Sequence, residues 1–184
     1  QFTEFFSRII LTAQKYAMPV ILLDKETPKE AVCQVFENVN TGGVSLTVFE
    51  LVTAIFAMDD FQLRKDWEER KANYFSGTLL DIVTATDFLT ALTLLSSFMD
   101  GKTVSCKKKD VLGLSLTTYK KYADSLCEGF SIAEKLLKEE RIFSSRDLPY
   151  STQLIPLSAI CTVLKESNKI YTTTVRNMVK QWYW

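Results

Sequence analysis

The sequence predicts a mainly α protein, a helical bundle-like array with one short strand. Three observations carry this. Apolar residues recur at helical spacing through most of the chain. Thr27-Pro28-Lys29-Glu30 and Thr47-Val48-Phe49-Glu50 both read as capping boxes, which start helices. Only Val20-Ile21-Leu22-Leu23 reads as a buried strand. The 184 residues suffice for one good-sized core in a single helical domain, with a soft boundary near Asp100-Gly101.

Residues 3–16 form the first predicted helix. Phe2, Phe5, Phe6, Ile9, Ile10 and Ala13 make its apolar stripe, and Pro19 stops it. A lone strand over Val20–Leu23 cannot satisfy its own backbone groups. Its partner strands are expected from a segment upstream or from another copy of this chain, a homo-oligomer. Ala31, Val32, Val35, Phe36 and Val39 form the next stripe, which Asn38-Val39-Asn40-Thr41-Gly42-Gly43 ends. Beyond Thr47, Val48, Leu51, Val52, Ile55 and Phe56 form another, and Leu46 is placed to staple onto Leu51.

Asp59 to Tyr74 reads as a charged, exposed helix that packs through Phe61, Leu63, Trp67 and Tyr74. Arg64, Lys65, Arg70 and Lys71 are phosphate candidates there, but interleaved Asp66, Glu68 and Glu69 favour a solvated face. A helix starting at Thr84 or Thr86 carries Phe88, Leu89, Ala91, Leu92, Leu94, Leu95, Phe98 and Met99 around most of its circumference, and Asp100-Gly101 ends it. Ser105 is placed to cap a short helix holding Lys107, Lys108 and Lys109, again read as solvated. A long helix follows over Thr117–Glu140. Its stripe is Tyr119, Tyr122, Ala123, Leu126, Phe130, Ala133 and Leu137, and Gly129 within it marks a close packing contact. Ser151 or Thr152 starts a helix through Lys165, with a kink or a late start at Pro156. The last helix, from about Thr173 to Trp184, turns Val175, Met178, Val179 and Trp182 inward.

The turn between the second and third predicted helices has a chemistry of its own. Gly42 and Gly43 leave backbone N–H groups uncovered before a helix N-terminus, which favours an anion such as phosphate. Asn38, Asn40 and Thr41 add hydrogen-bonding side chains. The alternative is a plain connector, since the lysine of a phosphate loop is missing.

Composition narrows the choices. Net charge is zero, from 22 basic and 22 acidic residues, so no global field draws nucleic acid. No apolar run is long and uncharged enough to span a bilayer, and no signal peptide is visible. The absence of histidine closes the Ser-His-Asp, Cys-His and His-metal routes within the chain. Cys33, Cys106, Cys127 and Cys161 form no C-x-x-C pair, so no zinc site is expected. Cys33, Cys127 and Cys161 suit buried free thiols in a reducing cytoplasm. No carboxylate pair stands out, so no catalytic residue is assigned.

One string is more specific than any of this. Val35-Phe36-Glu37-Asn38-Val39-Asn40-Thr41-Gly42-Gly43-Val44-Ser45-Leu46-Thr47-Val48-Phe49-Glu50-Leu51 resembles the F-x-x-(I/V)-N-T-G-G-x-x-L-(T/S)-x-x-E-L signature of domain of unknown function family 262. That family is the N-terminal domain of GmrSD-type modification-dependent restriction systems and has a ParB/sulfiredoxin-like core. Met18-Pro19-Val20-Ile21, Asp147–Leu157 and Gln181-Trp182-Tyr183-Trp184 extend the likeness more weakly. The family's D-G-Q-Q-R motif does not occur; the one Asp-Gly, Asp100-Gly101, precedes Lys102.

The resemblance implies the helical C-terminal portion of such a domain, with the short strand left over from a ParB-like α/β core. It implies a longer prokaryotic defence protein, nuclease-related, acting against phage or modified DNA. Its partners would be an upstream D-G-Q-Q-R-type segment, a C-terminal nuclease domain and DNA. A nucleoside triphosphate and a divalent metal would belong to that longer protein, with no cofactor in this chain. Asn38, Asn40, Thr41, Gly42 and Gly43 would hold phosphate, and Glu50 would cap its helix. The competing expectation is a helical interaction module without ligand or activity of its own.

Overall fold

The computed structural model describes residues 2–15 and 46–184, with Ala17, Val20, Leu22, Ala31 and Val35 between them. Among these residues every regular element is helical, as the mainly α class requires. Val20 and Leu22 carry no regular structure, and the rest of the predicted strand lies outside the described residues. Ala31 and Val35 are helical.

Helix α1 is built from Phe2–Phe5, a π-helical Phe6–Ile10 and Leu11–Gln14. Its predicted stripe buries nothing from Phe2 to Ile10. Helix α2, Val48–Ala57, buries Phe49, Leu51, Val52, Ile55 and Phe56. The next helix does not begin at Asp59. Asp60 takes a left-handed conformation with φ 56°. The Phe61 amide then donates to the Phe56 carbonyl at 3.1 Å, and the Asp60 amide to the Ala57 carbonyl at 3.1 Å. This is a Schellman closure, and it delays α3 to Leu63–Arg70.

A π-helical turn, Lys71–Phe75, extends α3, and the Ser76 amide reaches back five residues to the Lys71 carbonyl. The wider turn rotates the inward face by one position. Phe75 is therefore fully buried, and Tyr74, predicted as the contact, stands exposed. After a 3-10 turn at Leu79–Ile82, α4 spans Ala85–Met99 behind a Thr84–Asp87 capping box. It buries Phe88, Leu89, Ala91, Leu92 and Leu95. Phe98 and Met99 are exposed, so α4 is apolar around more of its circumference than the body covers.

The short α5, Lys108–Leu112, has Lys107 rather than Ser105 at its N-cap. Ser105 acts one step removed, donating to the Asp110 carboxylate at 2.5 Å, which itself accepts from the Lys107 amide at 3.0 Å. The long α6 runs Leu116–Glu139 from a Ser115 cap. All seven residues of its predicted stripe are buried. In α7, Leu154–Glu166, Pro156 lies in the first turn, where its missing N–H deprives the helix of no bond. The late start expected there is what occurs. Helix α8, Thr173–Tyr183, turns Val179 and Tyr183 inward, while Met178 and Trp182 are exposed. In this orientation one flank of the helix forms ion pairs with the end of α6. Lys180 reaches Glu139 at 3.1 Å and Glu140 at 2.7 Å, and Arg176 also pairs with Glu139.

The closest packing is α6 on α7, with α4 against both. Gly129 makes the first contact possible. A Cβ at that position would lie 2.6 Å from the Ser158 carbonyl oxygen and would collide with the Thr162 hydroxyl. Aromatic rings fill the centre. Phe75 and Phe130 lie 5.1 Å apart, Trp67 and Phe88 5.3 Å, and Phe56 and Tyr119 5.6 Å, mostly edge to face or tilted.

Candidate functional site

Asn38, Asn40, Thr41, Gly42 and Gly43 lie outside the described residues, so the site is approached from its flanks. On the far flank the signature runs into α2, and its Thr-x-x-Glu part is a closed capping box. The Thr47 amide donates to Glu50 Oε2 at 2.7 Å, and the Glu50 amide donates to Thr47 Oγ1 at 3.3 Å. The Thr47 hydroxyl also donates to Glu50 Oε2, at 3.0 Å. The Thr47 backbone bond, followed by its hydroxyl, lowers the Glu50 pKa below its ordinary value and keeps the carboxylate ionised.

This geometry assigns Glu50 to capping and limits what α2 can offer an anion. Two of its end amides are already engaged, and a carboxylate sits over its first turn. A phosphate at this helix end would meet that negative charge. Phosphate binding would therefore rest on the turn itself and on any cation nearby.

Arg64 is such a cation. Its guanidinium carbon lies 5.9 Å from the Phe49 ring centroid, and its charge acts on Glu50. The fold thus places an exposed arginine of α3 beside the last residues of the signature. In the sequence Arg64 is one of four basic residues on a charged face read as solvated. The neighbouring helix ends, α2 against α3, single it out.

Two of the others are committed elsewhere. Arg70 Nε donates to Asp66 Oδ2 at 2.7 Å and Arg70 Nη1 to Asp124 Oδ1 at 2.6 Å. Burial works against its charge, yet these bonds hold its pKa above the ordinary arginine value. Lys71 faces Asp81 at 3.8 Å. Lys107, Lys108 and Lys109 are exposed, in keeping with a solvated face.

A polar cleft of about 510 Å³ lies between the end of α4, the loop after it, α5 and the start of α6. Lys102, Lys109, Asp110 and Ser115 line it. Most of these groups already serve the fold. Lys102 pairs with Asp100 at 3.0 Å, Asp110 caps α5, and the Ser115 hydroxyl shares a 2.8 Å hydrogen bond with Thr118. Ser105, then the Lys107 amide, lowers the Asp110 pKa, so its carboxylate stays ionised.

No group of three or more Cys, Asp or Glu side chains suited to a metal occurs among the described residues. Among them too, no helix is long and apolar enough to cross a membrane. Cys127 and Cys161 are buried free thiols, and Cys106 is exposed; Cys33 lies outside the described residues. Comparison with family models, curated proteins and solved structures gave no match to this chain.

Proposed function

We propose that this chain is the helical part of a prokaryotic defence protein similar to the GmrSD restriction family. In this reading it binds nucleotide or nucleic-acid phosphate through the Asn38–Gly43 turn, completed by an upstream D-G-Q-Q-R-type segment. The observation that carries the proposal is the continuous signature from Val35 to Leu51. Gly42 and Gly43 let the backbone approach the phosphate closely, and Asn38, Asn40 and Thr41 orient it. Arg64 supplies the positive charge that the turn lacks. Glu50 holds the helix end and takes no part in chemistry. A nucleoside triphosphate with its divalent metal, a nuclease domain and DNA belong to the longer protein.

The test is calorimetric titration with a nucleoside triphosphate and magnesium, on this chain and on a longer one carrying the D-G-Q-Q-R segment. Saturable binding to the longer chain is expected. Asn40→Ala and Arg64→Ala each weaken it about tenfold or more while the melting temperature stays within a degree or two. Equal loss of folding in Asn40→Ala would make the turn a structural connector.

One observation favours the second reading, a helical interaction module without a ligand. It is an apolar trough between α4 and α7, lined wholly by apolar side chains. Absence of nucleotide binding to both chains would shift the assignment to it.

A further inference from the structure

Helix α8 is fastened to the body differently from its neighbours. Helix α7 buries Leu154, Leu157, Ala159 and Cys161 and packs closely on α4 and α6. The eleven residues of α8 bury only Val179 and Tyr183, and its backbone lies close along no other described helix. The buried Tyr183 hydroxyl has no hydrogen-bond partner among the described residues, which offsets part of what burial of its ring contributes. Thr172, at the N-cap, makes no side-chain capping bond.

Charge does what apolar packing does not. Lys180 reaches both Glu139 and Glu140 at the end of α6, at 3.1 Å and 2.7 Å, and Arg176 reaches Glu139. Trp184 Nε1 donates to Glu140 Oε2 at 3.1 Å, and Gln153 Nε2 donates to the Tyr183 carbonyl at 3.3 Å. The four charged side chains are 24% to 43% exposed, so dissolved ions reach them. A single exposed pair contributes little, but here two cations are shared between two adjacent glutamates, and their contacts form and break together. The bond from Lys180 lowers the pKa of both glutamates, so both are ionised near neutral pH and salt rather than protons is the lever.

We propose that α8 is a strap that salt releases, opening and closing as a unit on the end of α6 while the body from α2 to α7 stays folded. Eleven residues are too few to hold a helix in water without the body, so opening and unwinding are one event. At low ionic strength the strap is closed over Val179 and Tyr183. At high ionic strength it uncovers them beside Met178 and Trp182, which already face solvent. The apolar side of α8 is thus withdrawn or presented according to ionic strength. The proposal needs neither the Asn38–Gly43 turn nor a nucleotide.

The test is native-state amide hydrogen exchange on the 184-residue chain, read by NMR at two salt concentrations. Going from about 0.01 M to about 1 M sodium chloride shortens the screening length from about 30 Å to about 3 Å, the span of these pairs. Protection of the amides from Asn177 to Tyr183 is expected to fall about tenfold, while the buried stretch of α6 serves as the reference and changes less than about twofold. A double variant, Arg176→Gln with Lys180→Gln, removes all three ion pairs from partly exposed positions on α8 itself. Its α8 amides should already be about tenfold less protected at low salt and should then respond little to added salt. Exchange of α8 in step with α6 at both salts overturns the strap. Protection that does not change with salt in the unaltered chain, or a salt response that survives the double substitution, overturns its ionic control. The unaltered chain alone decides the first two outcomes, whatever the fold of the variant.

Discussion

Tyr119 donates its hydroxyl to Asp66 Oδ2 at 2.5 Å, joining α6 to α3 across 53 residues of chain. The same carboxylate oxygen accepts from Arg70, which also reaches Asp124 of α6. Burial, and then the bond to Asp66, raises the Tyr119 pKa well above the ordinary phenol value. A tyrosine raised in this way stabilises the fold fully below the unfolded pKa of about 10, and that contribution is lost as pH climbs past it. Tyr119→Phe should therefore cost about 1.5 kcal/mol at neutral pH. Its denaturant stability should also fall less steeply above about pH 10 than that of the unaltered chain. Parallel alkaline slopes would show that Tyr119 is not the titrating group.

Gly129→Ala sets helix propensity against packing. Alanine gains about 1 kcal/mol in a helix interior. Here its Cβ would overlap Ser158 and Thr162 of α7 at the tightest helix contact. Overpacking costs about 1–3 kcal/mol, and backbone cannot move aside as a flexible side chain can. A net loss is expected, read as a lower denaturant midpoint. A raised midpoint would mean that α6 and α7 separate at little cost.

Arg141 closes α6 with φ 66°, a conformation that strains any residue with a Cβ. The Ile142 amide reaches back to the Leu137 carbonyl at 3.0 Å in the same Schellman geometry as at Phe61. Arg141→Gly should stabilise the protein by up to about 1 kcal/mol, since the turn persists and the strain is removed. Chemical denaturation measures this directly, and destabilisation would assign the Arg141 side chain a contact of its own.

The thiols should divide by burial. Burial raises Cys127 to about 11 and Cys161 to about 12, so neither is thiolate near neutrality. Maleimide labelling mapped by mass spectrometry should modify Cys106 in the folded chain. Cys127 and Cys161 should react only after unfolding. Early labelling of Cys161 would place the opening of α7 among the frequent motions of the fold.

Where sequence and structure part, the cause is local geometry with no residue signature. The end of α4 was legible because Gly101 adopts φ 66° there. Asp60, Arg141 and Asn168 take the same left-handed role in the other closures, and nothing in the residue type of Arg141 announces it, whereas Asp and Asn tolerate it. The π turn at Lys71–Phe75 exchanged Tyr74 for Phe75. The inward face of α8 was misread because its stripe is apolar on more than one side. Val179 and Tyr183 turn in, and the adjoining flank pairs with Glu139 and Glu140.

The sequence by itself determined the helical class, the Thr47–Glu50 cap and the Gly129 contact. All of these are written in residue type and short-range spacing. Among the described residues, tertiary structure decided that Arg64, rather than Arg70, stands exposed beside Phe49 and Glu50, and that the α4–α7 trough lies open. Both depend on how helices distant in sequence rotate against one another. That rotation is set by ring packing and by part-buried hydrogen bonds such as Tyr119 to Asp66, which spacing along one helix cannot encode.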